Sequence, residues 1–166
     1  MSRQGTVVHT GANSVIRFER DLAHPPETVF AALTERDELR AWYPCVIEGA
    51  WAEGADLTFR FGPWPAGDAR SGGNDLAPMA GTVLAYDPPR LLEYTWGDQR
   101  LRFELTSTAT GTTLVLTHHL ATTPDEWKFA AGWHQCLDAL GASLDRAAPD
   151  MTGAAWEALA AGYRPA

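Results

Sequence analysis

The chain has 166 residues, 45% of them hydrophobic and 20% charged, which is the size and composition of one globular domain with its own core. Thirteen basic against twenty-one acidic residues give a formal net charge of −8, which disfavours contact with phosphate backbones and anionic lipid headgroups. The sequence has no phosphate-binding loop and no apolar run of membrane-span length, so we expect neither nucleic acid nor membrane as a partner.

The N-terminal residues 1–13 are polar and lack the apolar core of a signal peptide. We predict that they form a flexible leader. The two cysteines, Cys45 and Cys136, have no zinc-site or redox spacing and are expected as reduced, buried thiols. These features together predict a cytoplasmic protein.

The first regular element is predicted over residues 14–22, where Ile16, Phe18 and Leu22 alternate with charged residues as in a half-buried strand. Two short helices follow. The pair Pro25 and Pro26 is suited to the first turn of a helix, and Pro44 ends the second helix.

A period of two then runs through the middle of the chain and predicts six further strands. Short turns rich in Gly, Asp and Pro separate most of them, which indicates an antiparallel meander. The predicted strands are 45–51, 56–61, 80–87, 91–97, 100–107 and 112–119. The sheet therefore has about six or seven strands.

Residues 62–78 interrupt this meander with a stretch rich in Gly and Pro that is too long for a simple hairpin turn. Its apolar content is low. We predict a mobile loop at the mouth of the fold, with Trp64 near the entrance.

One long amphipathic helix is predicted over residues 125–146. Its apolar face carries Phe129, Trp133, Leu137, Leu140 and Leu144.

The predicted domain spans residues 14–147. Residues 148–166 follow as a C-terminal amphipathic extension packed on this domain. The predicted fold class is α+β, with a curved antiparallel sheet gripping the long helix.

Strand parity predicts which side chains meet inside, because alternate residues share one face of a sheet. The inward set combines aromatic and aliphatic residues with two polar groups, Tyr94 and His118, and Leu84 and Tyr86 extend it. Such a surface is typical of a pocket for a small apolar ligand. It also suits plain core packing, and the pattern leaves both interpretations open.

Catalytic chemistry has little support in the sequence. Of the five histidines only His118 is predicted to face the interior, so we expect neither a metal nor another cofactor. Ser71 lacks a nucleophile-elbow motif, and Cys136 is predicted to be buried on the helix. The remaining route is general acid–base catalysis by His118 with Tyr94.

Three segments carry a resemblance to a known family: GTVLAYDPPRLLEYTWG at 81–97, GTTLVLTH at 111–118 and GWHQCLDAL at 132–140. With the order of elements, they resemble the START-like, or SRPBCC, superfamily of helix-grip domains. The chain is most similar to the branch homologous to the activator of the heat-shock-protein ATPase. The resemblance covers about residues 14 to 147.

This resemblance implies a cavity between sheet and helix that binds a small hydrophobic molecule. The corresponding ligand-binding positions are Trp42, Phe59, Phe61, Tyr94, Trp96, Phe103, His118, Trp133 and Leu137. Some members act as cyclases or hydratases, so a cofactor-free enzyme using His118 and Tyr94 is an alternative.

A co-chaperone-like interaction module is a further alternative. The family's co-chaperone activity belongs to proteins with an additional N-terminal domain, and only a short polar segment precedes the domain here, so we do not expect that activity. The sequence leaves a homodimer open.

Overall fold

The computed structural model describes residues 3–166. Its strands are β1 (Thr6–Thr10), β2 (Asn13–Leu22), β3 (Val46–Gly49), β4 (Asp56–Arg60), β5 (Met79–Asp87), β6 (Leu91–Trp96), β7 (Gln99–Thr108) and β8 (Gly111–Ala121). They form one open antiparallel sheet in the order β1-β2-β8-β7-β6-β5-β4-β3. The helices are α1 (Pro26–Thr34), α2 (Arg36–Arg40), α3 (Glu126–Leu144) and α4 (Gly153–Ala160), with a 3₁₀ turn over Ala69–Gly73. The predicted α+β class and long C-terminal helix are confirmed, while the described residues contain eight strands rather than six or seven.

The additional strand corrects the interpretation of residues 1–13 as a leader. Residues 1 and 2 lie outside the described part of the chain, but Thr6–Thr10 pair with β2 as the edge strand β1. Backbone hydrogen bonding holds this strand, and only Val7 within it is partly buried. Because four of its five side chains are exposed, its hydrophobic pattern carries no strand signal.

The inward faces of β6, β7 and β8 follow strand parity, and these faces meet the buried side of α3. Parity fails in β5, where a bulge between Val83 and Ala85 shifts the register. Val83 is buried as a result, and Leu84 is 42% exposed instead of facing inward. Tyr86 returns to the core side and packs on Phe30, with ring centroids 5.8 Å apart.

Specific contacts anchor the loop over residues 62–78 despite its low apolar content, and its mobility stays a prediction. Trp64 is only 8% exposed, and the guanidinium of Arg70 lies 3.6 Å from the centroid of its ring. Arg70 also donates to both carboxylate oxygens of Asp68 and to the backbone carbonyls of Arg40 and Tyr43. One stacked arginine therefore ties the loop to the segment after α2.

The C-terminal segment packs against α3. Trp156 of α4 lies against Trp127, with ring centroids 6.1 Å apart, and the buried amide of Gln135 donates to the carbonyls of Asp150 and Thr152. The Tyr163 hydroxyl accepts a hydrogen bond from the Gly5 backbone N–H. This last contact joins the two ends of the described chain.

Candidate functional site

An aromatic cluster fills the space between the sheet and α3 with continuous ring contacts. One half runs from Phe61 through Trp96 and His118 to Trp133, with neighbouring centroids 5.9 to 6.4 Å apart. The other half joins the rings of Trp42, Phe103, Tyr94 and Phe59 at 5.8 to 6.4 Å. Leu137 is buried in the same core. The structure thus brings together all nine residues named from the sequence, and a ligand here must take space that the rings now occupy.

Tyr43 bridges the two halves of the aromatic cluster and was missed by the sequence analysis. Its ring lies 5.3 Å from Trp42 and 5.8 Å from Trp133, and it is fully buried. The available signal was its position four residues after Leu39, which places both on one face of a helical segment.

His118 is fully buried on the inward face of β8, and both of its ring nitrogens are bonded. The indole N–H of Trp133 donates to Nδ1 at 2.9 Å, so Nδ1 carries no proton. Nε2 therefore carries the proton and donates to the side-chain oxygen of Gln99 at 2.6 Å. Burial lowers the pKa of His118 to about 3, which keeps the ring neutral near pH 7.

Gln99 was also missed, although parity could have found it. It is the first residue of β7 and lies two residues before the inward-facing Leu101. The predicted strand begins one residue later, at Arg100.

Tyr94 does not reach His118. Its hydroxyl donates to the hydroxyl of Tyr43 at 2.8 Å, and burial raises the pKa of both tyrosines. The two candidate acid–base residues thus have different partners. Since His118 already uses both nitrogens, acid–base chemistry there requires one of its hydrogen bonds to break.

The cluster approaches the surface around Trp96. Trp96 is 9% exposed and lies between Phe61 and Phe129, which are both half-buried. The indole N–H of Trp96 is buried and makes no hydrogen bond to an oxygen or nitrogen acceptor. Its neighbour is the Cys45 thiol, which is a weak acceptor. Burial raises the pKa of this thiol to about 12, against the lowering effect of its contact with the indole, so the thiol is uncharged at neutral pH.

The described part of the chain has no assembled site for metal or thiol chemistry. Residues 3–166 contain no group of three or more His, Cys, Asp or Glu side chains arranged to hold a metal ion. Cys45 and Cys136 are unpaired and buried, and burial raises the pKa of Cys136 to about 12. Over the same residues, no helix is long and apolar enough to span a membrane.

The family described as activator of Hsp90 ATPase homolog 1-like protein matches residues 23–145 of the chain. A search of curated proteins returned no match.

Solved structures share this fold. An NMR structure of a Bordetella parapertussis protein is 30% identical, with a TM-score of 0.70 over 90% of this chain and 84% of that one. A conserved protein of unknown function from Enterococcus faecalis has a TM-score of 0.74 at 23% identity, covering 96% of this chain and 87% of its own. A crystal structure from Mesorhizobium loti has a TM-score of 0.63 at 26% identity, covering 80% and 97% of the two chains. The chain belongs to the activator of Hsp90 ATPase homolog 1-like family, a START-like family.

Proposed function

We propose that this chain binds a small hydrophobic molecule carrying one hydrogen-bond acceptor in the aromatic cluster between the sheet and α3. Proteins of this family commonly bind hydrophobic ligands. The cluster offers what such ligands need, namely large apolar rings with a few fixed polar groups among them.

The buried N–H of Trp96, whose neighbouring acceptor is only the weakly accepting thiol of Cys45, is the observation that carries this proposal. A buried donor without an acceptor is unfavourable by about 1–3 kcal/mol, and buried indole N–H groups usually have a partner. Trp133 and Tyr94 already have their partners, whereas the indole donor of Trp96 has no oxygen or nitrogen acceptor. A ligand carbonyl, ether or hydroxyl oxygen would satisfy it.

Access to Trp96 involves the half-buried rings of Phe61 and Phe129 and the loop over residues 62–78. Gly73 of that loop lies beside Phe61, where an added Cβ would stand 3.3 Å from the Cβ of Phe61. The loop thus covers Phe61. We expect the ligand to enter as Phe61 and Phe129 rotate outward, because side chains at the surface reorient more readily than the core.

The proposal is tested by native mass spectrometry of the purified protein and by titration with an apolar fluorescent dye, followed by Trp96→Phe. This variant keeps an aromatic ring and removes the donor. We expect dye binding to persist, and an apolar ketone such as 2-decanone to bind roughly tenfold more weakly, as for loss of one well-made hydrogen bond.

Trp127→Phe is the matched control, because Trp127 lies on α3 but packs against Trp156 outside the cluster. Its ketone affinity should equal that of the unmodified chain. If the purified protein retains no small molecule and binds neither dye nor ketone, the proposal is wrong.

A further inference from the structure

We propose that a second site, in the cleft between β2 and the C-terminal half of α3, binds the carboxylate of a small amphipathic acid through Arg20. The cleft has a volume of about 470 Å³. Of the ligand-binding positions named above, only Leu137 borders it. The inference is therefore independent of the function proposed for the aromatic cluster.

Arg20 faces inward on β2, in the same parity as Ile16, Phe18 and Leu22, and is 6% exposed. Arg20 was not predicted to face inward, although its position two residues after Phe18 gave the signal. Arginine is rarely buried to this extent without a partner. Burial lowers the pKa of Arg20, and the nearby Asp138 carboxylate partly offsets this effect.

The hydrogen bonds of Arg20 are incomplete on one side of the guanidinium. Nη1 donates to the backbone carbonyl of Glu19 at 3.2 Å. Nε and Nη2 are buried and neither makes a hydrogen bond of ordinary length, although Nη2 forms a long ion pair with Asp138 at 3.6 Å. Nε and Nη2 form one edge of the guanidinium, which is the geometry that binds a carboxylate through two parallel hydrogen bonds.

At this edge of the guanidinium two arginines share one carboxylate. Asp138 lies between Arg20 and Arg3, whose Nη2 is 2.7 Å from it. The other acidic residues of the cleft have different partners. Glu19 pairs with Arg17 and Asp145 bonds to His24, while Asp21 accepts from the Thr113 hydroxyl and keeps its negative charge.

The neighbouring His134 adds no positive charge to the group formed by Arg3, Arg20 and Asp138. Its ring bonds to the Tyr163 hydroxyl, and burial lowers its pKa against the opposing effect of Asp138, while Arg20 and Arg3 lower it further. The ring is therefore neutral near pH 7. A single negative charge then completes the pairing of Arg3, Arg20 and Asp138.

The remaining wall of the cleft is apolar, formed by Leu22, Leu137, Gly141 and Ala142. This wall suits a short alkyl chain attached to the carboxylate. The Nε and Nη2 edge is screened from solvent, so the acid must displace a neighbour. Arg3 has a 65% exposed side chain and is able to move aside.

The test is an NMR titration at constant ionic strength with sodium acetate, sodium hexanoate and inorganic phosphate. Hexanoate should shift the backbone amide signals of Leu22 and Ala142 and bind more tightly than acetate, by roughly fourfold for each methylene buried. Arg20→Met should weaken hexanoate binding by at least about tenfold. Arg60→Met is the matched control, because Arg60 is an exposed arginine paired with Glu48. The hexanoate affinity of this variant should stay within about twofold of that of the unmodified chain.

Arg20→Lys tests the same point if Arg20→Met does not fold, because it keeps the charge but lacks the two-donor edge. The hexanoate affinity of Arg20→Lys should also fall, while its near-ultraviolet circular dichroism should match that of the unmodified chain. Four results overturn the proposal: no hexanoate binding, equal affinity in folded Arg20 variants, phosphate binding as tightly as hexanoate, or shifts confined to the Trp96 indole signal. The last result would place hexanoate in the aromatic cluster instead.

Discussion

The indole N–H of Trp133 donates to Nδ1 of His118 across 2.9 Å, and this buried hydrogen bond joins the long helix α3 to the inner face of strand β8. Both rings are almost fully enclosed. The bond fixes the tautomer of His118 and directs its remaining N–H toward Gln99. The contact between helix and sheet is thus partly polar.

The first prediction concerns this bond. Trp133→Phe keeps most of the ring but leaves Nδ1 of His118 without a donor, so we expect the free energy of unfolding to fall by about 1–3 kcal/mol. Trp133→Ala should cost more, about 3–5 kcal/mol, because it also empties the site. Urea unfolding measures both. Trp127→Phe on the same helix should change stability by no more than about 0.5 kcal/mol, and an equal loss there would contradict the assignment.

The second prediction concerns pH. Burial lowers the pKa of folded His118 to about 3, whereas an ordinary histidine has a pKa of 6.5, so the unfolded chain binds this proton first as pH falls. His118 therefore contributes a loss of stability on acidification from about pH 6.5 toward pH 3, with a slope of at most about 1.4 kcal/mol per unit.

His118→Phe isolates this contribution from those of the other histidines. The unfolding free energy of the unmodified chain minus that of the variant should fall as pH falls from about 7 to 4.5, because only the unmodified chain loses the contribution of His118. Chemical denaturation at several pH values measures it. A difference that does not change with pH would show that His118 does not titrate in this way.

The third prediction concerns the pair of buried hydroxyls. Tyr94→Phe and Tyr43→Phe should each lower stability by about 1 kcal/mol, because each removes the hydrogen bond between them. The double variant should cost less than the sum, with a coupling of about 0.5–1.5 kcal/mol. A double-mutant cycle by urea unfolding measures this coupling. Strict additivity would mean that the two hydroxyls act separately.

The fourth prediction concerns the loop over residues 62–78. Arg70→Lys keeps the charge but loses the stacked fork that holds Trp64, Asp68 and the carbonyl of Tyr43, so stability should fall by about 1–3 kcal/mol. Amide hydrogen exchange in the loop should become faster. Arg60→Lys, at an exposed ion pair, should cost less than about 0.5 kcal/mol. Unchanged exchange in Arg70→Lys would support the original interpretation of a mobile loop.

The aromatic cluster could be predicted from the sequence as a set of positions but not as a set of partners. Parity on the strands and helical phase on α3 collected the rings that meet inside, because these are properties of short stretches of chain. The same parity rule also places Gln99, two residues before Leu101, and Arg20, two residues after Phe18, on inward faces. The pairings of Tyr94 with Tyr43 and of His118 with Trp133 join positions that are 51 and 15 residues apart. Parity gives only the direction of each side chain and does not give its nearest neighbour.

What the sequence determined by itself is the series of elements from β2 to α3, because alternation, turn residues and a helical apolar face are local signals. Only the tertiary structure decided the rest. It placed the polar segment Thr6–Thr10 on the sheet edge, shifted β5 by a bulge and packed Trp64 beneath Arg70. Each of these depends on backbone pairing or on contact with a distant segment, and neither leaves a periodic pattern in the residues themselves.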